Sequence, residues 1–269
     1  MKIRNSPAPI PNTRKQLLGV ILKEHIFDII ICSIYVFAFS FPLVFWLIFI
    51  SQTQLLNFTE DNYLFNALII YLPMIVGITL FGLGIGGSLY YFKKLVFQEG
   101  SNVHQDFFRG IKETFKQSLL SYGFVAILYV LMGISKVILS FTTGLNSAFI
   151  TILVAIMYVI LFITSIVNSF VMIQSILYNA TQKDLIVNGV RFLIGKAPLN
   201  ILFFGIIFLP FILYEIFPIS LLHWIIFGVC AIWHFGFSSL LITLYSHYIF
   251  DLSINKNYPE IYRKGLRKE

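Results

Sequence analysis

Few side chains in this chain of 269 residues have the chemistry to act on anything, and most of them stand inside apolar runs. His234 lies near the middle of the last run, where a titratable group is costly and is either functional or a hydrogen-bonded core residue. It shares a helical face with His223, Cys230, Ser238 and Tyr245, because spacings of four and seven return to the same side of a helix. Similar stripes occur earlier: Gly77, Gly84, Ser88 and Tyr91 in one run, Thr151, Tyr158, Ser165 and Ser169 in another. Surrounded by lipid, such faces should turn toward other helices. Two readings follow. One is packing and cross-helix hydrogen bonding, which the Gly82/Gly86 GxxxG pair suits. The other is an intramembrane polar path for a solute or proton, built from Ser88, Ser165, Ser169, His234 and Ser238.

No reaction is spelled out by these residues. There is no paired carboxylate, Ser-His-Asp set, HExxH helix or glycine-rich phosphate loop. The glycines between 77 and 87 follow no strand, so they do not read as a nucleotide loop. His25, His104 and His247 have no second ligand at metal spacing. Cys32 and Cys230 each sit in an apolar run and read as small buried hydrophobes, with neither a CxxC pair nor a disulfide framework. The expectation is a non-enzyme with no cofactor and no metal.

The elements that must position these residues are legible from composition. The chain is 58% hydrophobic and 12% charged, with a mean hydropathy of +0.86. A soluble domain carries roughly twice that charge. Six runs reach or approach the ~20 residues that cross a hydrocarbon core, at 26–50, 64–92, 118–141, 148–178, 199–216 and 220–250. The predicted fold class is all-α: one polytopic membrane domain of six transmembrane helices, with amphipathic connecting helices. Alternating short strands, as in a membrane barrel, are absent from the sequence pattern. Residues 1–14, with Pro7, Pro9 and Pro11, read as a disordered tail. The first run is too long for a cleavable leader. Residues 15–28 read as a surface helix with Leu17, Leu18, Ile21, Leu22 and Ile26 on one face, lying among headgroups.

Charge sets the orientation. Eighteen of the nineteen Lys and Arg residues fall before the first run or after the second, fourth and sixth. They include Lys2, Arg4, Arg14, Lys93, Lys94, Lys183, Arg191, Lys264 and Lys268. Retention of bases at the inner leaflet predicts both ends in the cytoplasm, and a multi-pass protein of a bacterial cytoplasmic membrane. Lys136, the exception, is expected to snorkel to the outer headgroups. Asp28 and Glu215 are expected to anchor at the interfaces. The net charge of +7 thus serves the bilayer rather than nucleic acid. Each even-numbered run is also followed by a glycine–aliphatic–base triplet: Gly110-Ile111-Lys112, Gly189-Val190-Arg191 and Gly265-Leu266-Arg267. Chance and three hairpins of common design both account for it.

The stretch 106–117 has helical periodicity. Phe107, Phe108, Ile111, Phe115 and Leu119 line one face, Arg109, Lys112, Glu113 and Lys116 the other, and Asp106 stands at the start as a cap. It should lie along the cytoplasmic surface and run into the third span. It is either a membrane-skimming connector or a partner-docking helix with Phe107, Phe108, Arg109, Lys112 and Lys116 as contacts.

The order Gly87-Ser88-Leu89-Tyr90-Tyr91-Phe92, a basic pair, Glu99-Gly100-Ser101 and then 106–117 resembles the YesL-type family of bacterial multi-pass membrane proteins. That family carries a Leu-Tyr-Tyr helix end, a charged loop and a Phe-Phe-x-Gly-Phe-Lys-x-Asn-Phe-Lys-Gln element in the same order. Its turn between the first two spans is compact, whereas here Phe41-Pro42 and Leu72-Pro73 both compete for that place. The resemblance implies an association with carbohydrate uptake and supplies no functional residues. The expected function is therefore a non-enzymatic accessory component that contacts lipid and a sugar ABC transporter permease or another membrane protein. The alternative is a small-solute transporter in its own right.

Overall fold

Asn102, Asn146, Thr181 and Thr13 stand where four helices begin, and each side chain accepts a backbone N–H of the first turn, from Gln105, Ala148, Asp184 and Gln16 respectively. Such caps satisfy donors that helix geometry leaves open. The computed structural model describes residues 10–53, 57–142, 146–217 and 220–267, and its described residues form helices and no strand. In chain order the helices are α1 (Arg14–Glu24), α2 (Ile26–Ser51), α3 (Tyr63–Val96), α4 (Val103–Phe141), α5 (Ser147–Leu177) and α6 (Gln182–Gly195). They continue as α7 (Ala197–Ile207), α8 (Leu209–Ile216), α9 (Ser220–Val229), a π-helical turn (Cys230–His234) and α10 (Phe235–Leu252). Five helical runs are long and apolar enough to cross a membrane, the last being α9 to α10, or six if the bent pair α6–α7 counts as one.

Several expectations change. The fifth span, read as one helix over 199–216, is two helices, α7 and α8, broken at Phe208. Pro210 lacks the N–H that would continue the ladder, and Phe211 and Ile212 instead donate to the Phe208 carbonyl. A 102° bend separates α6 from α7. Asn200 braces that joint: its amide donates to the Phe192 and Leu193 carbonyls at 2.9 Å each, and its oxygen accepts from Tyr245 at 2.7 Å. The π-helical turn interrupts the sixth span. Pro42 and Pro73 both lie inside helices, so neither makes a turn.

At the chain's beginning, residues 1–9, with Lys2 and Arg4, lie outside the described residues, as does Lys268. Residues 10–13 are part of the fold, since Pro11 accepts from the Arg267 N–H. The face of α1 expected among headgroups instead buries Leu17 and Ile21 in the protein core.

The tightest packing joins α3 to α4 through small residues. A Cβ at Gly86 would meet Thr114 and Ser118, one at Gly110 would meet Tyr90, and one at Gly82 would meet the Tyr122 ring. The other face of α3 closes on α2, with Gly77 against Leu43 and Gly84 against Phe39 and Val36. Close backbone approach at small residues is how helices associate where lipid removes the hydrophobic drive between them.

Candidate functional site

The helices α2, α3, α4, α5 and α7 to α10 line a half-open cavity of about 690 Å³. Its wall is mostly apolar, with Phe37, Leu43, Ile78, Phe81, Phe162 and Phe235 among its residues. That combination of size and lining is typical of a small-molecule pocket. Its polar lining includes a first group of hydroxyl, amide and imidazole side chains, Ser165, Ser169, Asn168, His234, Ser238 and Ser239, and a second of Tyr129, Tyr158, Tyr214 and Glu215, which act on one another electrostatically; Ser40 and Tyr122 line it too.

Four of the five residues read as a polar path line this cavity. Ser165 and Ser169 are bonded to the carbonyls of Leu161 and Ser165, one turn back. His234 Nε2 lies 3.2 Å from Ser238 Oγ, and the ring also interacts with the Ile207 backbone. The α7–α8 break accounts for that contact: Pro210 offers no N–H and the Phe211 N–H goes to Phe208, so the Ile207 carbonyl is left without either. Ser88, the fifth residue, does not line the cavity. It is fully buried beside Cys32.

The second group was missed as a unit. Lys136 on α4, Tyr158 on α5 and Glu215 on α8 converge. Lys136 Nζ donates to Tyr158 Oη at 2.6 Å, Tyr158 Oη donates to Glu215 Oε1 at 2.8 Å, and Lys136 Nζ lies 3.5 Å from Glu215 Oε1. The ammonium also sits 5.0 Å from the centre of the Tyr158 ring. Lys136 thus reaches a carboxylate, and Glu215 answers it. Sequence separation hid this, because the three residues lie on three different helices. The available signal was a lone base and a lone acid, both near the same ends of their apolar runs.

The predicted docking helix is divided by the fold. Residues 103–117 and the third span are one unbroken helix of 39 residues. At ~1.5 Å per residue α4 is roughly 58 Å long, about twice a hydrocarbon core. Its start is capped by Asn102. Asp106 instead reaches back to the Asn102 N–H at 2.8 Å and pairs with Lys94 at 2.8 Å. The buried face is Val103, Asp106, Phe107, Gly110, Thr114 and Ser118, which differs from the apolar face read from periodicity. Phe107 is fully buried, its ring 5.0 Å from Tyr35. Phe108, Arg109, Lys112, Phe115 and Lys116 remain exposed on the opposite side.

All four basic segments meet at one end of the bundle. Arg14 pairs with Asp251 at 2.9 Å and Lys264 with Glu99 at 2.7 Å. Tyr178 bonds Asn255, and Tyr91 and His25 both bond Asp28, at 2.6 and 2.7 Å. Burial alone would raise the Glu99 carboxyl, but the Lys264 hydrogen bond and the charges of Lys93 and Lys264 outweigh it and hold it below its ordinary range. Asp106 is lowered in the same way: Lys94 and the Asn102 N–H overcome the effect of burial. Among the described residues no group of three His, Cys, Asp or Glu side chains is placed to hold a metal ion. No protein family, curated protein or solved structure matches the chain, so function rests on the geometry of this site.

Proposed function

We propose that this chain is a multi-pass membrane protein that binds a small amphiphilic solute inside its helical bundle and moves it across a bacterial cytoplasmic membrane. The cavity carries this reading: about 690 Å³, mostly apolar, with a minority of polar side chains along its wall. A sugar would leave its hydroxyls unpaired against such a wall, whereas an amphiphile would match it. The broken α7–α8 segment supports the reading, because irregular backbone within membrane depth is tolerated where it borders a cavity. Gathering of the basic segments at one end supports an orientation with both chain ends inside.

The test is native mass spectrometry of the full chain purified in an uncharged detergent. Wild type should retain a co-purified amphiphile, and Ser165→Trp, which fills the cavity, should lose it. Equal retention in the two proteins would remove the basis of the proposal.

A second reading is favoured by the exposed Phe108, Arg109, Lys112, Phe115 and Lys116 on the long end of α4. On that reading the chain is a non-enzymatic accessory to a carbohydrate-uptake permease, as the YesL-type resemblance implies, and this strip is the contact. Charge reversal at Lys112 and Lys116 should then weaken capture of a permease in mild detergent. Undiminished capture would count against it.

A further inference from the structure

Among the described residues Glu215 is the sole carboxylate lining the cavity, and no Lys or Arg lines it. Three tyrosines, Tyr129, Tyr158 and Tyr214, share that wall. Tyr71 lies within electrostatic reach of Glu215, as do Tyr129 and Tyr214. A carboxylate set among aromatic rings is the arrangement that holds an organic ammonium, because the ring faces attract positive charge and no strongly hydrated partner is required. The site already holds one such group. Lys136 Nζ occupies it from the side, bonded to Tyr158, near Glu215 and 5.0 Å from the Tyr158 ring centre.

We propose that the outer-lying end of the cavity is a binding site for an organic cation with an apolar body, seated by Glu215, Tyr129, Tyr158 and Tyr214, with Lys136 as a tethered competitor. This rests on the cavity being a solute site and names the class of solute. The apolar body lies along Leu47, Ile78, Phe162 and Phe211, and the positive centre displaces the Lys136 ammonium from Glu215. A ligand without positive charge leaves the ion pair in place and gains only apolar contact. An anion meets Glu215 and is repelled. The rim on one side is α8, which packs on α7 and α9 and meets α5 through the Tyr158–Glu215 bond, with the Phe162–Phe208 ring contact at the break before it.

The experiment is equilibrium dialysis of radiolabelled tetraphenylphosphonium against the full chain in an uncharged detergent, with tetraphenylborate as the anion of the same shape. Wild type should show a saturable component for tetraphenylphosphonium and none for radiolabelled tetraphenylborate dialysed on its own. Glu215→Gln should weaken it by about tenfold or more, the scale of one lost charge contact. Lys136→Met should tighten it several-fold, since the internal competitor is gone. If Glu215→Gln fails to fold, the double variant Lys136→Met/Glu215→Gln removes both charges together and should also lose binding. Wild-type affinity in a folded Glu215 variant, or an affinity for tetraphenylborate equal to that for tetraphenylphosphonium, each dialysed alone, would overturn the proposal. A bound neutral amphiphile without cation preference would sink this inference alone and leave the cavity reading standing. Phosphatidylglycerol nanodiscs with and without phosphatidylethanolamine separate the two sources of ammonium: weaker tetraphenylphosphonium binding in the presence of phosphatidylethanolamine assigns the site to a lipid headgroup, and unchanged binding assigns it to a free amine.

Discussion

Gly236 shows how little room the bundle leaves at single residues. A Cβ there would stand 2.1 Å from the Ile29 carbonyl oxygen, and its own N–H already donates to Ser33 Oγ at 2.8 Å. Backbone cannot give way as a side chain can, so Gly236→Ala should cost about 1–3 kcal/mol through forced separation of α2 and α10. Gly205 has nothing within 4 Å of the same position. Gly205→Ala should leave stability unchanged or slightly raised, since alanine is the better helix former. Thermal unfolding of the two variants side by side checks this, and a matched loss in both would refute it. Composition alone does not separate these glycines. Each sits in an apolar run, and only the approach of a neighbouring helix distinguishes them. The basic triplets give a similar lesson. Gly110 and Gly189 each pack on the preceding long helix, at Tyr90 and at Val167, whereas Gly265, at φ +80°, packs against the Val96 carbonyl of α3 rather than on α10. Two of the three thus share a design, and the third is a turn that docks the tail.

At the scale of elements, the long uniform helices were legible and the irregular ones were not. Periodicity and length locate α2, α3 and α5, because apolar runs far longer than a core strand admit one conformation in lipid. The α6–α7–α8 region could not be read that way. Reading 199–216 as one span passed over Pro210, and the 102° bend before α7 depends on Asn200, whose partners Phe192 and Leu193 are adjacent only once the chain has turned. Asn200 is fully buried. Asn200→Ala leaves two helix-end carbonyls and the Tyr245 hydroxyl without partners, and should cost about 1–3 kcal/mol. Asn200→Asp keeps an acceptor for Tyr245 but no donor for the carbonyls, so it should rescue little. Melting temperatures of the pair test the brace, and an unaffected Asn200→Ala protein would dismiss it. The 106–117 stretch gives a related lesson. Of the apolar face expected to meet lipid or a partner, Phe107 turns into the protein, because α3 packs on the neighbouring Gly110, Thr114 and Ser118, where smallness rather than hydrophobicity governs the contact.

For the whole molecule, the basic end is a clasp of ion pairs: Arg14 with Asp251 and Lys264 with Glu99 join segments far apart in sequence, and Lys94 with Asp106 closes the turn between α3 and α4. Glu99 and Asp106 both titrate below their ordinary values. Stability from such lowered carboxylates is fully present above the unfolded-state value and is lost as pH falls through the folded one. The melting temperature should therefore hold from neutral pH down to the ordinary carboxylate range and decline below it. Glu99→Gln should flatten part of that decline, and an identical acid profile in this variant would remove Glu99 from the account. The amino-acid sequence by itself determined the class of molecule, the approximate positions of the long helices and the grouping of basic segments, because hydropathy and charge act residue by residue along the chain. Only the tertiary structure decided that Lys136, Tyr158 and Glu215 meet, that four of the five path residues line one cavity while Ser88 does not, and that α4 presents its bases outward. Those facts depend on distances between helices, and the order of residues along one chain does not encode such distances locally.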